Sequence, residues 1–181
     1  MAENSNFSER RWTLSEIALA ADGNPHTYKT WIQRGLIVAA GPRAPLVQGP
    51  GLANLYSTFT ALQLAVAGAL SRGGCSAELA AKAGERFAHN SDGEFTWEGE
   101  PTTLLNRVPG GLFQAPEGLF ESDRTYVLAC PQTGAYRVTH SSELERALRE
   151  ITIGHTGAAV ALLDMSELQP SVLFRLGHTP R

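Results

Sequence analysis

Five polar side chains lie close together between positions 26 and 33, where the spacing of the apolar residues predicts a helix. Tyr28, Trp31 and Ile32 recur at intervals of three and four residues and define an apolar face. The other faces carry His26, Thr27, Lys29, Thr30 and Gln33. Threonine can contact a thymine methyl group or a phosphate, lysine a phosphate, and glutamine the hydrogen-bonding edge of adenine. The pattern therefore predicts a helix that can read DNA.

The sequence shows no comparable pattern of catalytic or metal-binding residues. The five histidines (His26, His89, His140, His155 and His178) do not pair with another His, Cys or carboxylate at metal-ligand spacing. Cys75 and Cys130 are far apart in the chain, and Cys130, in an apolar run, is expected to be a buried structural thiol. We therefore expect no catalytic residues, no metal and no cofactor.

The charge of the chain is distributed unevenly. The 181 residues have a formal net charge of −3. Residues 1–90 hold eight Lys and Arg against six Asp and Glu, a net of +2, whereas residues 91–181 hold seven against twelve, a net of −5. The N-terminal half is the better partner for phosphates, although its small excess predicts weak, salt-sensitive binding. No uncharged apolar run approaches the length of a membrane span.

A second, shorter helix is expected just before the polar segment. Thr13 and Glu16 have the spacing of a capping box, which begins this helix, and Asp22-Gly23 ends it. Asn24 is expected to cap the next helix, whose first residue is Pro25, and Gly35 to end it. Trp31 and Ile32 then pack on the first helix, whereas Tyr28 can serve either the core or a contact with the DNA backbone.

Beyond this helix pair, the sequence predicts a two-stranded wing. Its strands are 36–38 and 52–57, and its irregular tip is rich in Gly and Pro. Two helices follow, from Phe59 to about Arg72 and from Ala77 to Ala88, separated by Gly73-Gly74.

The second half of the chain begins with a Gly- and Pro-rich stretch and continues with a segment of predicted strands and helices. Residues 91–118 are rich in Gly and Pro and are expected to form a linker. Strands are then predicted at 125–130 and 135–140, a helix capped by Ser141 at 142–150, a strand at 158–163, and a helix at 165–176 broken at Pro170.

The stretch from Trp12 to Phe87 resembles the MerR-type winged helix-turn-helix domain. The matching pieces are TLSEIA at 13–18, the helix ending Arg34-Gly35-Leu36, Leu55-Tyr56-Ser57 in the wing, and the turn at Arg72-Gly73-Gly74. The resemblance implies that the second helix enters the major groove of DNA while the wing and the N-terminal arm hold phosphates. The candidate DNA-binding residues are His26, Thr27, Tyr28, Lys29, Thr30, Gln33, Arg43, Asn54, Tyr56 and Arg11.

The chain also departs from the family pattern. Lys29 replaces an arginine, Thr30 a tyrosine, and Asn54 an arginine of the wing. Lysine lacks the planar fork that grips two acceptors at once. No heptads follow Ala88, so the long dimerising helix of typical members is absent from the sequence pattern. The resemblance therefore implies DNA binding, but not the promoter twisting or effector sensing of the family.

We accordingly expect an α+β protein with three parts. A DNA-binding domain spans residues 10–90, a linker 91–118, and a small α/β domain 119–181, which serves dimerisation or a protein partner. The expected function is that of a sequence-specific transcription regulator of bacterial or prophage origin, a cytoplasmic, nucleoid-associated homodimer bound to double-stranded DNA. The alternatives are a phage architectural or packaging protein of the excisionase or small-terminase type, and a protein-binding module without DNA affinity.

Overall fold

A computed structural model describes residues 11–38, 53–91, 105–114 and 123–177. The fold is α+β, with helices arranged around two small antiparallel sheets. The first sheet pairs β1 (Arg11–Thr13) with β2 (Leu55–Ser57), and the second consists of three strands from the last third of the chain. The predicted fold class is therefore confirmed at this level.

The helix pair near the N-terminus has the predicted caps. Helix α1 spans Leu14–Ala20 and α2 spans Pro25–Gln33. The backbone N–H of Glu16 donates to the hydroxyl of Thr13 over 3.2 Å, and the Glu16 carboxylate accepts from the Thr13 N–H over 2.7 Å. The helix ends before the predicted Asp22-Gly23 turn, in which Asp22 has the left-handed backbone conformation (φ 50°).

The predicted pairing of strands in the wing is wrong. Strand β2 pairs with β1, in the register Trp12↔Tyr56, and residues 36–38 form no strand. The backbone of Val38 is instead satisfied by buried side chains: its N–H donates to Oε1 of Gln63 over 3.0 Å, and its carbonyl accepts from the Thr60 hydroxyl over 3.5 Å. The expected wing tip, 39–52, lies outside the described residues.

Two long helices form the centre of the molecule. Helix α3 spans Thr58–Arg72 and α4 spans Ala77–His89, with the predicted Gly73-Gly74 turn between them and Ser57 and Ser76 as their N-caps. The helices approach closely at Gly84, where a Cβ would lie 2.6 Å from the carbonyl oxygen of Gln63. Glycine at this position therefore permits the tight packing that buries most of α3.

The last third of the chain forms an antiparallel sheet of order β4-β3-β5 with two helices. Strands β3 (Thr125–Cys130) and β4 (Ala135–His140) have the predicted bounds, and β5 (Ala161–Asp164) begins three residues later than predicted. His140, rather than the predicted Ser141, caps a short 3₁₀ turn that leads into α5 (Leu144–Ile151).

Helix α6 (Met165–Arg175) runs through Pro170, so the predicted break is wrong. Proline removes one hydrogen bond from a helix interior. Met165 and Val172, on either side of Pro170, are buried in the core, and their burial offsets that loss.

One buried cluster joins residues from both halves of the chain. Ile17 and Leu64 belong to the same cluster as Val127, Met165 and Val172. A smaller cluster lies between the sheet and α5, with Leu128, Cys130, Ala147 and Ile151 at its centre. The division into domains 10–90 and 119–181 stays a prediction, but the core itself is shared.

Part of the predicted linker packs against α4. In the described portion, 105–114, the side chain of Arg107 is completely buried. The side-chain amide of Gln169 in α6 donates to the carbonyl of Gly110 over 2.6 Å, and the Phe113 N–H donates to the Thr125 hydroxyl over 2.8 Å. The segment is thus attached to α4, α6 and β3.

Candidate nucleic-acid interface

Helix α2 has one exposed polar face and one buried apolar face. His26, Thr27, Lys29, Thr30 and Gln33 are all exposed, and we call this set the exposed polar face. The helix contains no Asp or Glu. On the opposite side Tyr28 and Trp31 are buried, with their ring centroids 5.6 Å apart, and Ile32 is half-buried. The predicted sidedness of this helix is therefore confirmed.

Tyr28 belongs to the core, so its prediction as a DNA contact is wrong. Its side chain is 1% exposed and lies between Gly23 and Gly68, where a Cβ at either glycine would overlap the hydroxyl oxygen. Burial raises the pKa of Tyr28, and the positive charge of nearby Arg72 offsets part of this increase. Among the described residues the hydroxyl has no hydrogen bond of ordinary geometry.

Tyr56 is also a core residue rather than a DNA contact. It is 7% exposed, and it sits opposite Trp12 in the two-stranded sheet. The indole N–H of Trp12 donates to the Thr58 hydroxyl over 3.3 Å, which joins β1 to the start of α3. The predicted contact was wrong because the β1–β2 pairing turns this tyrosine toward the protein interior.

The other three predicted phosphate contacts are Asn54, Arg11 and Arg43, and they differ in exposure and in whether the structure describes them. Asn54 is exposed and directly precedes β2, whereas Arg11 is half-buried in β1, opposite Ser57. Ser57, the partner of Arg11, is three residues of extended chain away from Asn54. Arg11 and Asn54 are therefore about 10 Å apart along the sheet. Arg43 lies outside the described residues.

The N-terminal end of α2 is ordered by side chains of its own segment. The Asn24 side chain accepts from the His26 N–H over 2.8 Å, and the Thr30 hydroxyl donates to the His26 carbonyl over 3.0 Å. The Thr30 oxygen keeps lone pairs that can accept a hydrogen bond. Pro25, His26 and Thr27 are exposed, so the positive end of the helix dipole faces solvent.

Two arginines from distant parts of the chain hold the turn between α1 and α2. Arg72 of α3 donates to the carbonyls of Asp22 (3.0 Å) and Ala21 (3.4 Å). Arg175 of α6 donates to the Ala20 carbonyl over 3.1 Å and to the Asp22 carboxylate over 2.8 Å. These contacts fix the orientation of α2 relative to the core. No local sequence pattern predicts these contacts, because they join residues about 50 and 150 positions apart.

Charges around the helix pair are largely compensated. Arg34 lies 3.7 Å from Glu78, and Asp22 faces Arg175. Both pairs are substantially exposed, so each contributes little to stability. Lys29 is the cation of the exposed polar face, and its charge is not offset by any acidic residue of α2. The electrostatic attraction for phosphate is therefore modest and local.

One hydrogen-bonded cluster was not predicted from the sequence. Nδ1 of His140 lies 2.9 Å from the Ser142 hydroxyl and accepts the Ser142 backbone N–H over 3.2 Å, and Nε2 lies 2.8 Å from the Asp123 carboxylate. Since Nδ1 is an acceptor, the proton is assigned to Nε2, which donates to Asp123. The cluster caps the 3₁₀ turn and orients the imidazole ring, which meets Phe113 edge to face.

Other candidate chemistry is limited in the described parts of the chain. Cys75 and Cys130 are free and buried, which confirms the predicted burial of Cys130, and burial raises the pKa of the Cys75 thiol. Among these residues, no group of three His, Cys, Asp or Glu could hold a metal ion. None of the described helices combines the length and apolar character that crossing a membrane requires.

Comparison of the chain with family models, with curated proteins and with solved structures gives no match. The features of the protein that bear on function are accordingly the geometry of α2 and of its surroundings.

Proposed function

We propose that the protein is a sequence-specific DNA-binding transcription regulator of the winged helix-turn-helix type, with α2 in the major groove. The observation that carries this proposal is the division of α2 into two faces. Tyr28 and Trp31 anchor one side in the core, while the exposed polar face presents five side chains and no carboxylate. A short helix presented in this way fits the major groove, which admits one α-helix.

Three side chains of the exposed polar face have assigned roles in the proposed complex. Thr27 and Gln33 contact base edges, Gln33 through the bidentate pairing that glutamine makes with adenine. Lys29 neutralises a phosphate, and the exposed N-terminus of α2 attracts a second one through its dipole. Asn54 and Arg11, at the two ends of the small sheet, are suited to further phosphate contacts that set the register. Such a protein would act at the bacterial nucleoid.

The test of this interface is the substitution Lys29→Glu. We expect it to weaken binding to DNA duplexes at least about tenfold, because a phosphate contact is replaced by charge repulsion. The measurement is fluorescence anisotropy with labelled duplexes of mixed sequence, titrated at several salt concentrations. The slope of the logarithm of affinity against the logarithm of salt concentration should fall by about one for the lost contact.

The matched control is Arg149→Glu, which changes the net charge by the same amount. Arg149 is exposed on α5 and pairs with Glu145 in the C-terminal half. We expect this variant to bind DNA nearly as well as the wild type. Equal losses for the two variants would mean that overall charge, and not α2, governs binding. No loss in Lys29→Glu would instead favour a protein-binding module.

We further propose that the protein binds DNA as a homodimer, since a single small module rarely reaches specific affinity. Strand β5 is an edge of its sheet, and within the described ranges no strand pairs with its outer side. Leu162, in this strand, is 47% exposed. Pairing of β5 with its symmetry mate would cover the edge. Sedimentation of the DNA complex should give the mass of two chains per duplex, and one chain per duplex would contradict this proposal.

A further inference from the structure

A cavity of about 640 Å³ lies between β4, the C-terminal part of α4 and the segment 105–114. Its volume is within the range of small-molecule binding sites, roughly 300–1,000 Å³. The lining residues that matter here are Arg86, Arg137 and Arg146, which are cationic, and Phe113, Tyr136 and Val138, which are apolar or aromatic. The cavity is formed by elements remote in sequence from the exposed polar face.

The charge of the cavity wall favours an anion. Among the described residues that line it, the three guanidinium groups are accompanied by one carboxylate, that of Glu143. Arg137 also pairs with Glu150, and Arg146 pairs with both Glu143 and Glu150. A guanidinium has five N–H donors in a planar fork, so Arg137, with one carboxylate partner, and Arg146, with two, each keep donors for a further carboxylate.

The rest of the wall favours a flat aromatic ligand. Tyr136 is 37% exposed and Phe113 is half-buried, so both rings have surface available to a ligand. The His140 ring is held by Asp123 and Ser142 and stands edge to face with Phe113, at a centroid distance of 6.1 Å. The His140 ring is therefore held in place by hydrogen bonds, which reduces the entropy that this part of the wall loses when a ligand binds.

We propose that the cavity binds a planar aromatic carboxylate. The carboxylate lies against the arginines, with Arg146 as one donor, and the ring packs on Tyr136 and Phe113. Different residues bind the carboxylate and the ring of the ligand, so the contributions of its charge and of its aromatic ring to the affinity can be measured separately. Binding to this cavity does not depend on the proposed DNA interface.

The test is isothermal titration calorimetry of the full chain at pH 7 with 2-naphthoate and its neutral isostere 2-naphthamide. We expect 2-naphthoate to bind with a dissociation constant below about 1 mM, and 2-naphthamide to bind at least about tenfold more weakly. Arg146→Gln should weaken 2-naphthoate binding about fivefold or more and leave the affinity for 2-naphthamide unchanged. Tyr136→Ala should weaken the binding of both compounds.

The matched control is Arg149→Gln, in the same helix as Arg146 but outside the cavity lining. It should leave 2-naphthoate binding at the wild-type level. Each variant is checked by its melting temperature, so that a loss of fold is not mistaken for a loss of binding. Absence of 2-naphthoate binding in the folded wild type, equal binding of the two compounds, or equal effects of Arg146→Gln and Arg149→Gln would each overturn the proposal.

Discussion

Replacing Arg107 by Met is expected to lower the free energy of unfolding by about 3–5 kcal/mol, because it leaves buried carbonyl groups without a hydrogen-bond donor, at a cost of about 1–3 kcal/mol each. The Arg107 side chain is 0% exposed and holds the C-terminal end of α4. Its Nη1 donates to the carbonyl of Phe87 over 2.6 Å, and its Nη2 to the carbonyls of Arg86 (3.0 Å) and Asn90 (2.8 Å).

Three effects combine in this arrangement. The last carbonyls of a helix lack partners within the helix, and the negative end of the helix dipole attracts a cation. The guanidinium carbon also lies 5.1 Å from the centroid of the Phe87 ring. Methionine fills similar space but donates no hydrogen bond, so it leaves buried carbonyls unsatisfied. Domains of this kind have a total stability of about 5–15 kcal/mol, so the loss is a large fraction of it.

The measurement is urea unfolding of the wild type and of Arg107→Met, with Arg124→Met as the matched control. Arg124 is exposed and forms surface ion pairs with Asp164 and Glu167, so the control should stay close to the wild type. The free energy of unfolding of Arg107→Lys should lie between those of Arg107→Met and Arg124→Met, because lysine keeps the charge without the planar fork. Equal stabilities of Arg107→Met and Arg124→Met would refute the capping role.

Gly68→Ala should also destabilise the protein, by about 1–3 kcal/mol, although alanine is normally favoured over glycine in a helix by about 1 kcal/mol. The reason is steric. A Cβ at Gly68 in α3 would overlap the hydroxyl oxygen of Tyr28, while the ring carbons Cε1 and Cζ are 3.3 Å away. The hydroxyl atom alone therefore causes most of the conflict.

A second substitution tests this explanation. Tyr28→Phe removes the hydroxyl, so it should restore most of the stability lost in Gly68→Ala. It should not rescue Gly23→Ala, because there the overlap extends to the ring carbon Cζ. Urea unfolding of the three single and two double variants gives both coupling energies. A lack of rescue at Gly68, or equal rescue at both glycines, would contradict the placement of Tyr28 between them.

Local patterns allowed several features to be predicted from the sequence. The capping box at Thr13 and Glu16, the Gly73-Gly74 turn, and the bounds of β3 and β4 all depend on residues a few positions apart. Hydrogen-bond caps and alternating apolar residues act over such short ranges, so their signals are present in the chain itself. The separation of the two faces of α2 was predictable for the same reason.

The features that were missed or predicted wrongly depend on tertiary contacts. The sequence around Arg107 is rich in Gly and Pro and therefore predicts a linker. No residue close to Arg107 in the sequence indicates that its side chain caps the C-terminal end of α4. The pairing of β2 with β1 rather than with 36–38 depends on Gln63 and Thr60, which satisfy the backbone of Val38 from another helix. The spacing of Tyr28 allows either a core position or a contact with DNA, and its packing against Gly23 and Gly68 decides for the core.

Recovery and sequencing of sheared genomic DNA bound by the purified protein tests whether α2 recognises DNA sequence. The DNA comes from the organism that encodes the protein, and the salt concentration is about 0.15 M, where nonspecific phosphate binding is weakened. Lys29→Glu and Arg149→Glu are run in parallel. We expect a few sharp peaks upstream of genes, present with the wild type and Arg149→Glu and lost with Lys29→Glu. Peaks confined to phage attachment or packaging sites would indicate an architectural protein instead, and recovery no better than the input DNA would contradict sequence-specific binding by α2.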